Sequence, residues 1–191
     1  MRDCAVIVGV AVAALGGLAW VVMALRRSLA RERLLARTDD VTGVSSARAF
    51  REAARAEMER ARRYQHPFSV ACVDLGHRVG DEPLRSAAAA LRGGLRATDL
   101  VARLGRDEFI ILLPETLAAP ARVVLEKLRA AVVDLRAADG RALAAHIGGV
   151  TFLGPPESVD EIIRATDERI AEAKATKAVS HVTWNAAPGG R

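Results

Sequence analysis

From Asp99 to Pro114 the chain reads Asp-Leu-Val-Ala-Arg-Leu-Gly-Arg-Asp-Glu-Phe-Ile-Ile-Leu-Leu-Pro. Two apolar runs flank Gly105-Arg106, a pattern that predicts a β-hairpin with a two-residue turn. A type I′ turn would need φ > 0 at both central residues, at a cost of roughly 1 kcal/mol for a non-glycine residue such as Arg106. Two carboxylates, Asp107 and Glu108, follow at once. Adjacent acids are expensive in a core, and they are suitable donors for a hard divalent cation. A second apolar run, Phe68 to Leu75, predicts a buried strand with Asp74 at its end.

The rest of the soluble part alternates helix and strand signals. Thr38 to Ser46 reads as a loop ending in an N-cap candidate. Ala47 to Tyr64 reads as a helix with Phe50, Ala54, Met58 and Ala61 on one face. Further helices are predicted over Glu82–Leu95, Leu117–Leu135 and Ser158–Lys177, where Ser158 and Glu161 have capping-box spacing. Ala142–Leu153 reads as a strand with a kink at Gly148-Gly149, and His181–Trp184 as a short last strand. The order predicts one α/β domain over 38–185, a mixed sheet flanked by helices, with a frayed tail over 186–191. The core is expected to be aliphatic, because 51% of residues are hydrophobic and only 4% aromatic.

Cys4 to Leu25 is uncharged and apolar, and at 1.5 Å per residue it would span about 33 Å, enough for a bilayer core. Arg26, Arg27, Arg31 and Arg33 follow it, whereas only Arg2 and Asp3 precede it. The positive-inside rule then predicts a single-pass anchor over 1–27 in the inner membrane, a juxtamembrane stalk over 28–37 and a cytoplasmic domain. The run is too long and its leading charge too small for a cleaved signal peptide. The net charge of +5 comes from arginines spread among acids along helices, which argues against a nucleic-acid partner. Cys4 and Cys72 have no plausible mutual pairing, so no disulfide framework is expected. His66, His77, His146 and His181 lack ligand spacing and read as structural or surface residues.

The hairpin closely resembles the signature of the GGDEF family of diguanylate cyclases, here written Gly105-Arg106-Asp107-Glu108-Phe109. Other segments are similar to that family in order: Thr38-Asp39-Asp40-Val41-Thr42-Gly43-Val44 through Phe50, then Val73-Asp74-Leu75. Gly76-His77-Arg78-Val79-Gly80-Asp81 with Leu84, His146-Ile147-Gly148, and Asp167 through Lys174 complete the resemblance. It implies a GGDEF, nucleotidyl-cyclase-like fold and bacterial signal transduction through cyclic di-GMP, made from two GTP molecules held by two subunits. It also implies Mg²⁺ as a possible cofactor, held by Asp74, Asp107 and the Leu75 carbonyl. Asp107 and Glu108 would be the catalytic acids, and Asp81 and Lys174 would bind nucleotide. Arg96-Ala97-Thr98-Asp99 matches the family's Arg-x-x-Asp site for cyclic di-GMP. There, a guanidinium offers paired donors and a carboxylate accepts from guanine.

Three departures weigh against catalysis. Leu75 abuts Gly76, where the resemblance leads one to expect about ten more residues, in a connection of the kind that varies in length between relatives. Those residues would carry the amides that hold phosphate and an Asn that reads guanine. Arg106 replaces a glycine, and Lys177-Ala178-Val179 stands where Gly-Arg-Asn is usual. The reading that follows is a membrane-anchored, weak or inactive member that binds cyclic di-GMP, as a homodimer or with a partner signalling protein. An active cyclase and a nucleotide-free dimerising scaffold are the alternatives.

Overall fold

A computed structural model describes Trp20, Met23 and residues 36–76, 79–137 and 139–184. The expected anchor (1–27) apart from Trp20 and Met23, nearly all of the stalk (28–37), His77 and the tail (186–191) lie outside the described residues. No helix among the described residues is long and apolar enough to cross a membrane. The sheet belongs to one compact unit, Arg37–Arg191.

That unit runs β1 (Ser45–Ser46), α1 (Ala47–Tyr64), β2 (Phe68–Asp74), α2 (Asp81–Gly93), β3 (Leu100–Arg103), β4 (Glu108–Pro114), α3 (Ala118–Val133), β5 (His146–Phe152), α4 (Val159–Thr176) and β6 (Ser180–Trp184). The six strands form one sheet in the order β1-β3-β4-β2-β5-β6. The outer pairs β1/β3 and β5/β6 are parallel and the inner three are antiparallel. This is the mixed α/β architecture that the alternating pattern predicts.

Why β2 and β4 read as continuous apolar runs is now plain: both faces of each are covered. Phe109, Ile111 and Leu113 pack with Ala71 and Val73 against Leu84 and Leu91 of α2 and Leu125 and Leu128 of α3. Ile110 and Leu112 point the other way, into a cluster with Phe68, Val70, Phe152, Phe50 and Met58. The predicted face of α1 is the buried one, with Phe50 and Ala54 wholly inaccessible. Ser46 caps this helix, its Oγ accepting from the Ala49 amide at 3.3 Å, and Ser158 caps α4 by accepting from the Glu161 amide at 3.2 Å.

Two expectations need correction. The first strand residues placed at Ala142–Ala145 lie outside β5; Ala142 pairs only with Arg136 in an isolated bridge. The kink at Gly148-Gly149 is absent, since Cys72 and Ala71 oppose these glycines in unbroken register. The glycines serve close packing instead. A Cβ on Gly148 would lie 2.4 Å from the Ile170 nitrogen and 2.5 Å from the Arg169 carbonyl carbon, so α4 rests directly on the strand backbone.

Gly148→Ala should therefore destabilise the fold by about 2–3 kcal/mol, because helix backbone cannot yield as a side chain can. Chemical denaturation checks this, and a loss under about 0.5 kcal/mol, the range of ordinary surface substitutions, would contradict the packing argument.

Candidate functional site

β2 and β4 pair over their whole length, which sets Asp74 opposite Glu108 on one side and opposite His146 on the other. At the end of this register the Leu75 amide donates to the Asp107 carbonyl at 3.1 Å. The signature acids and the end of β2 thus meet, as expected. Asp74 and Asp107 are only 6% and 7% exposed. Asp74 is satisfied twice: Oδ1 accepts from the Gly76 amide at 2.7 Å, and Oδ2 lies 2.6 Å from Lys174 Nζ on α4. Asp107 Oδ1, by contrast, is buried with no hydrogen-bond partner.

The carboxyls of the cluster shift in opposite directions. Burial alone would raise the Asp74 carboxyl, but bonds from Lys174 and Gly76 and the nearby Lys174 and His146 charges bring it below the usual carboxylate range. Glu108 is pushed up, first by burial and then by Asp74 and Asp167, against the pull of Lys174. Burial also raises Asp167. Among the described residues no three His, Cys, Asp or Glu side chains converge as a ready ligand set.

The hairpin tip differs from the expected type I′ turn. β3 ends at Arg103 and β4 begins at Glu108, leaving four loop residues, with the Leu104 and Gly105 amides both donating to the Glu108 carbonyl. Neither Gly105 nor Arg106 has positive φ, so arginine carries no backbone strain here. Gly105 provides room instead: a Cβ there would stand 3.0 Å from Glu108 Oε2. Arg106 is exposed and its carbonyl accepts from Arg103 Nη2 at 2.7 Å.

Arg103 and Asp39 are the residues that sequence reasoning left unassigned. Arg103 also donates Nε to the Gly105 carbonyl at 3.2 Å and Nη1 to Asp39 Oδ1 at 3.1 Å. Asp39 accepts from both the Thr42 amide and hydroxyl. One guanidinium thus ties the loop before α1 to the signature tip. The Asp39-x-x-Thr42 spacing, an Asx-type turn signal, was the available clue. Burial works against ionisation of Asp39, yet the Thr42 bonds and Arg103 hold its carboxyl below the usual range.

The remaining predicted residues lie apart. Asp81 is the exposed first residue of α2, and no hydrogen bond or ion pair among the described residues joins it to the acids. Lys177, the expected substitute cation, is the left-handed C-cap of α4, and its carbonyl accepts from Arg129 at 2.8 Å. Arg96 and Asp99 form a closed turn, with the Arg96 amide donating to Asp99 Oδ2 at 2.9 Å and the Asp99 amide to the Arg96 carbonyl at 3.1 Å. Both line a groove of about 430 Å³ with Thr38, Gly43 and Arg92. His181 shares a buried polar chain through Thr151 and Ser69, in keeping with a structural role.

The model of the family described as "Diguanylate cyclase, GGDEF domain" matches residues 36–179. The response regulator PleD of Caulobacter vibrioides is 30% identical over 167 residues, which cover 80% of this chain and 37% of PleD. The diguanylate cyclase DosC of Escherichia coli is 35% identical over 132 residues, covering 62% of this chain and 28% of DosC. The chain therefore spans well under half the length of these relatives. Among solved structures, the diguanylate cyclase SiaD of Pseudomonas aeruginosa, in complex with its activator SiaC, superposes with a TM-score of 0.69 at 26% identity, covering 89% of this chain and 72% of that one. The GGDEF domain of DgcB from Caulobacter crescentus, in complex with c-di-GMP, shares the fold with a TM-score of 0.68 at 20% identity, over 76% of this chain and 92% of that one.

Asp39→Asn should lower stability at neutral pH by about 1–2 kcal/mol through loss of charge-assisted bonds. Because the folded carboxyl titrates below its unfolded value near 4, the stability it contributes is full above that value and fades as pH falls through the folded one. Denaturation of both proteins across pH 2–7 should show the gap closing at the acid end; a gap constant with pH would contradict the ion-pair account.

Proposed function

The chain belongs to the diguanylate cyclase GGDEF-domain family, and from that premise we propose that it is a cyclic di-GMP receptor with little or no cyclase activity. The observation that carries this reading is the Arg96–Asp99 turn. The Arg96 amide holds the Asp99 carboxylate, and both residues line one groove, where Arg96 is exposed and Arg92 adds a second cation. An arginine can present two parallel donors to a guanine edge or a phosphate, and Asp99 can accept from guanine N–H groups.

Catalysis would ask more of the acidic cluster. Mg²⁺ would be held by Asp74, Asp107 and the Leu75 carbonyl, whose hard oxygens suit it, and the buried, unpartnered Asp107 Oδ1 is an acceptor that such a cation would satisfy. When bound, such an ion would neutralise charge on the α-phosphate of GTP. This favours the alternative of an active cyclase, with Glu108 as accessory acid and Asp81 toward the base. Against it stands Lys174, whose ammonium already sits on Asp74 rather than being free for phosphate. Gly76 turns straight back onto the same carboxylate, so its amide is not offered to a ligand. A homodimer or a partner signalling protein would complete either activity, and the Cys4–Leu25 run would anchor the chain in the inner membrane with the domain in the cytoplasm. A reporter fused after Trp184 should then be active inside the cell, and a soluble product cut near Leu25 would refute the anchor.

Calorimetry of the full chain with cyclic di-GMP tests the receptor reading. Arg96→Ala should weaken binding by about 1.5–3 kcal/mol, roughly 10- to 150-fold. No heat at high micromolar ligand would leave the scaffold reading. Incubation with GTP and Mg²⁺ should yield no cyclic di-GMP, and steady product that vanishes in Asp74→Ala would establish the cyclase.

A further inference from the structure

We propose that Lys174 is a built-in counter-cation of the acidic cluster, holding Asp74 in place of a divalent ion, so that metal enters only by displacing it. The inference is independent of ligand binding at Arg96 and Asp99.

The geometry is specific. Asp74 closes β2, and its side chain is nearly inaccessible, at 9%. A carboxylate so placed must be paired, because removing an ion from water costs several kcal/mol unless a partner and hydrogen bonds compensate. Here compensation comes entirely from the chain itself. Gly76, at φ +83°, turns its amide onto Oδ1, and Lys174 brings its ammonium to within 2.6 Å of Oδ2. Both oxygens are thereby engaged, with the charged donor on one and a neutral donor on the other.

Lys174 can do this because of where α4 lies. It sits in the last turn of that helix, with Ala173 beside it fully buried. Gly148 lets the same helix press onto the strand backbone at Arg169 and Ile170, which fixes the approach of the ensuing turn to the end of β2. The lysine is itself 45% exposed, so the long stem can swing outward without opening the core. A divalent ion approaching Asp74 and the unpartnered Asp107 Oδ1 would meet the ammonium, and the two cations would exclude each other. Each would therefore lower the affinity of the other for the site.

Mn²⁺ binding followed by electron paramagnetic resonance on the full chain, with and without EDTA treatment, tests this. The wild type should bind weakly and show no change in Tm between EDTA and millimolar Mn²⁺. Lys174→Met keeps the stem and deletes the charge. It should lose about 4 °C or more of Tm in EDTA, regain it with Mn²⁺, and bind Mn²⁺ at least about tenfold more tightly than wild type. Wild-type affinity equal to that of the variant would overturn the proposal. So would a variant that neither loses stability in EDTA nor gains it with the ion. If Lys174→Met does not fold, Lys174→Gln with added Mn²⁺ and Asp74→Asn serve instead. In the Asp74→Asn background the lysine substitution should cost nothing further and confer no Mn²⁺ binding. An equal cost in both backgrounds would show that the ion pair is incidental and end the inference.

Discussion

Seven residues of Phe68–Asp74 face seven of Glu108–Pro114 in antiparallel register, with apolar layers on both sides of the pair. A slip of one residue would turn every buried side chain of either strand to the opposite layer. The register is thus set by the core, and the acids inherit their positions from it. Asp74 ends one strand where Glu108 begins the other, and Asp107 is carried to the same place by the amide of Leu75. The chemistry of the site is a consequence of packing several residues away.

Around that pair the helices impose a second constraint. Gly148 and Gly149 remove the side chains that would hold α4, and the Leu125 and His181 side chains, off β5. The close approach that results brings the end of α4 to the end of β2. Lys174 reaches Asp74 for that reason and helps hold that carboxyl below its usual range, while burial pushes Glu108 up against the pull of the same lysine. A core contact of two glycines and the electrostatics of four acids belong to one chain of causes.

A third element is the guanidinium of Arg103, which bonds two carbonyls of the signature loop and the carboxylate of Asp39. With a side chain only 13% exposed, it acts as an internal clamp. Because Asp39 belongs to the loop that leads into α1, any displacement of that loop is transmitted to the hairpin tip. Arg106, the most conspicuous departure in the sequence, adds only its carbonyl to this clamp.

Much was legible in the sequence because it depends on local rules. The bounds of α1, the caps at Ser46 and Ser158, the apolar strands and the hairpin follow from periodicity and side-chain capping, which act over a few residues. The GGDEF resemblance placed Asp74, Asp107 and Glu108 together because it fixes their order along the chain. What the sequence misjudged needed distances between parts remote in the chain. The Gly148-Gly149 pair reads as a kink until α4 is seen lying against it, and the type I′ turn fails because the tip is a four-residue loop held by Arg103. The fate of Lys174 was hidden for the same reason: a lysine's reach is set by the helix that carries it, and only tertiary packing decided that its ammonium would meet Asp74.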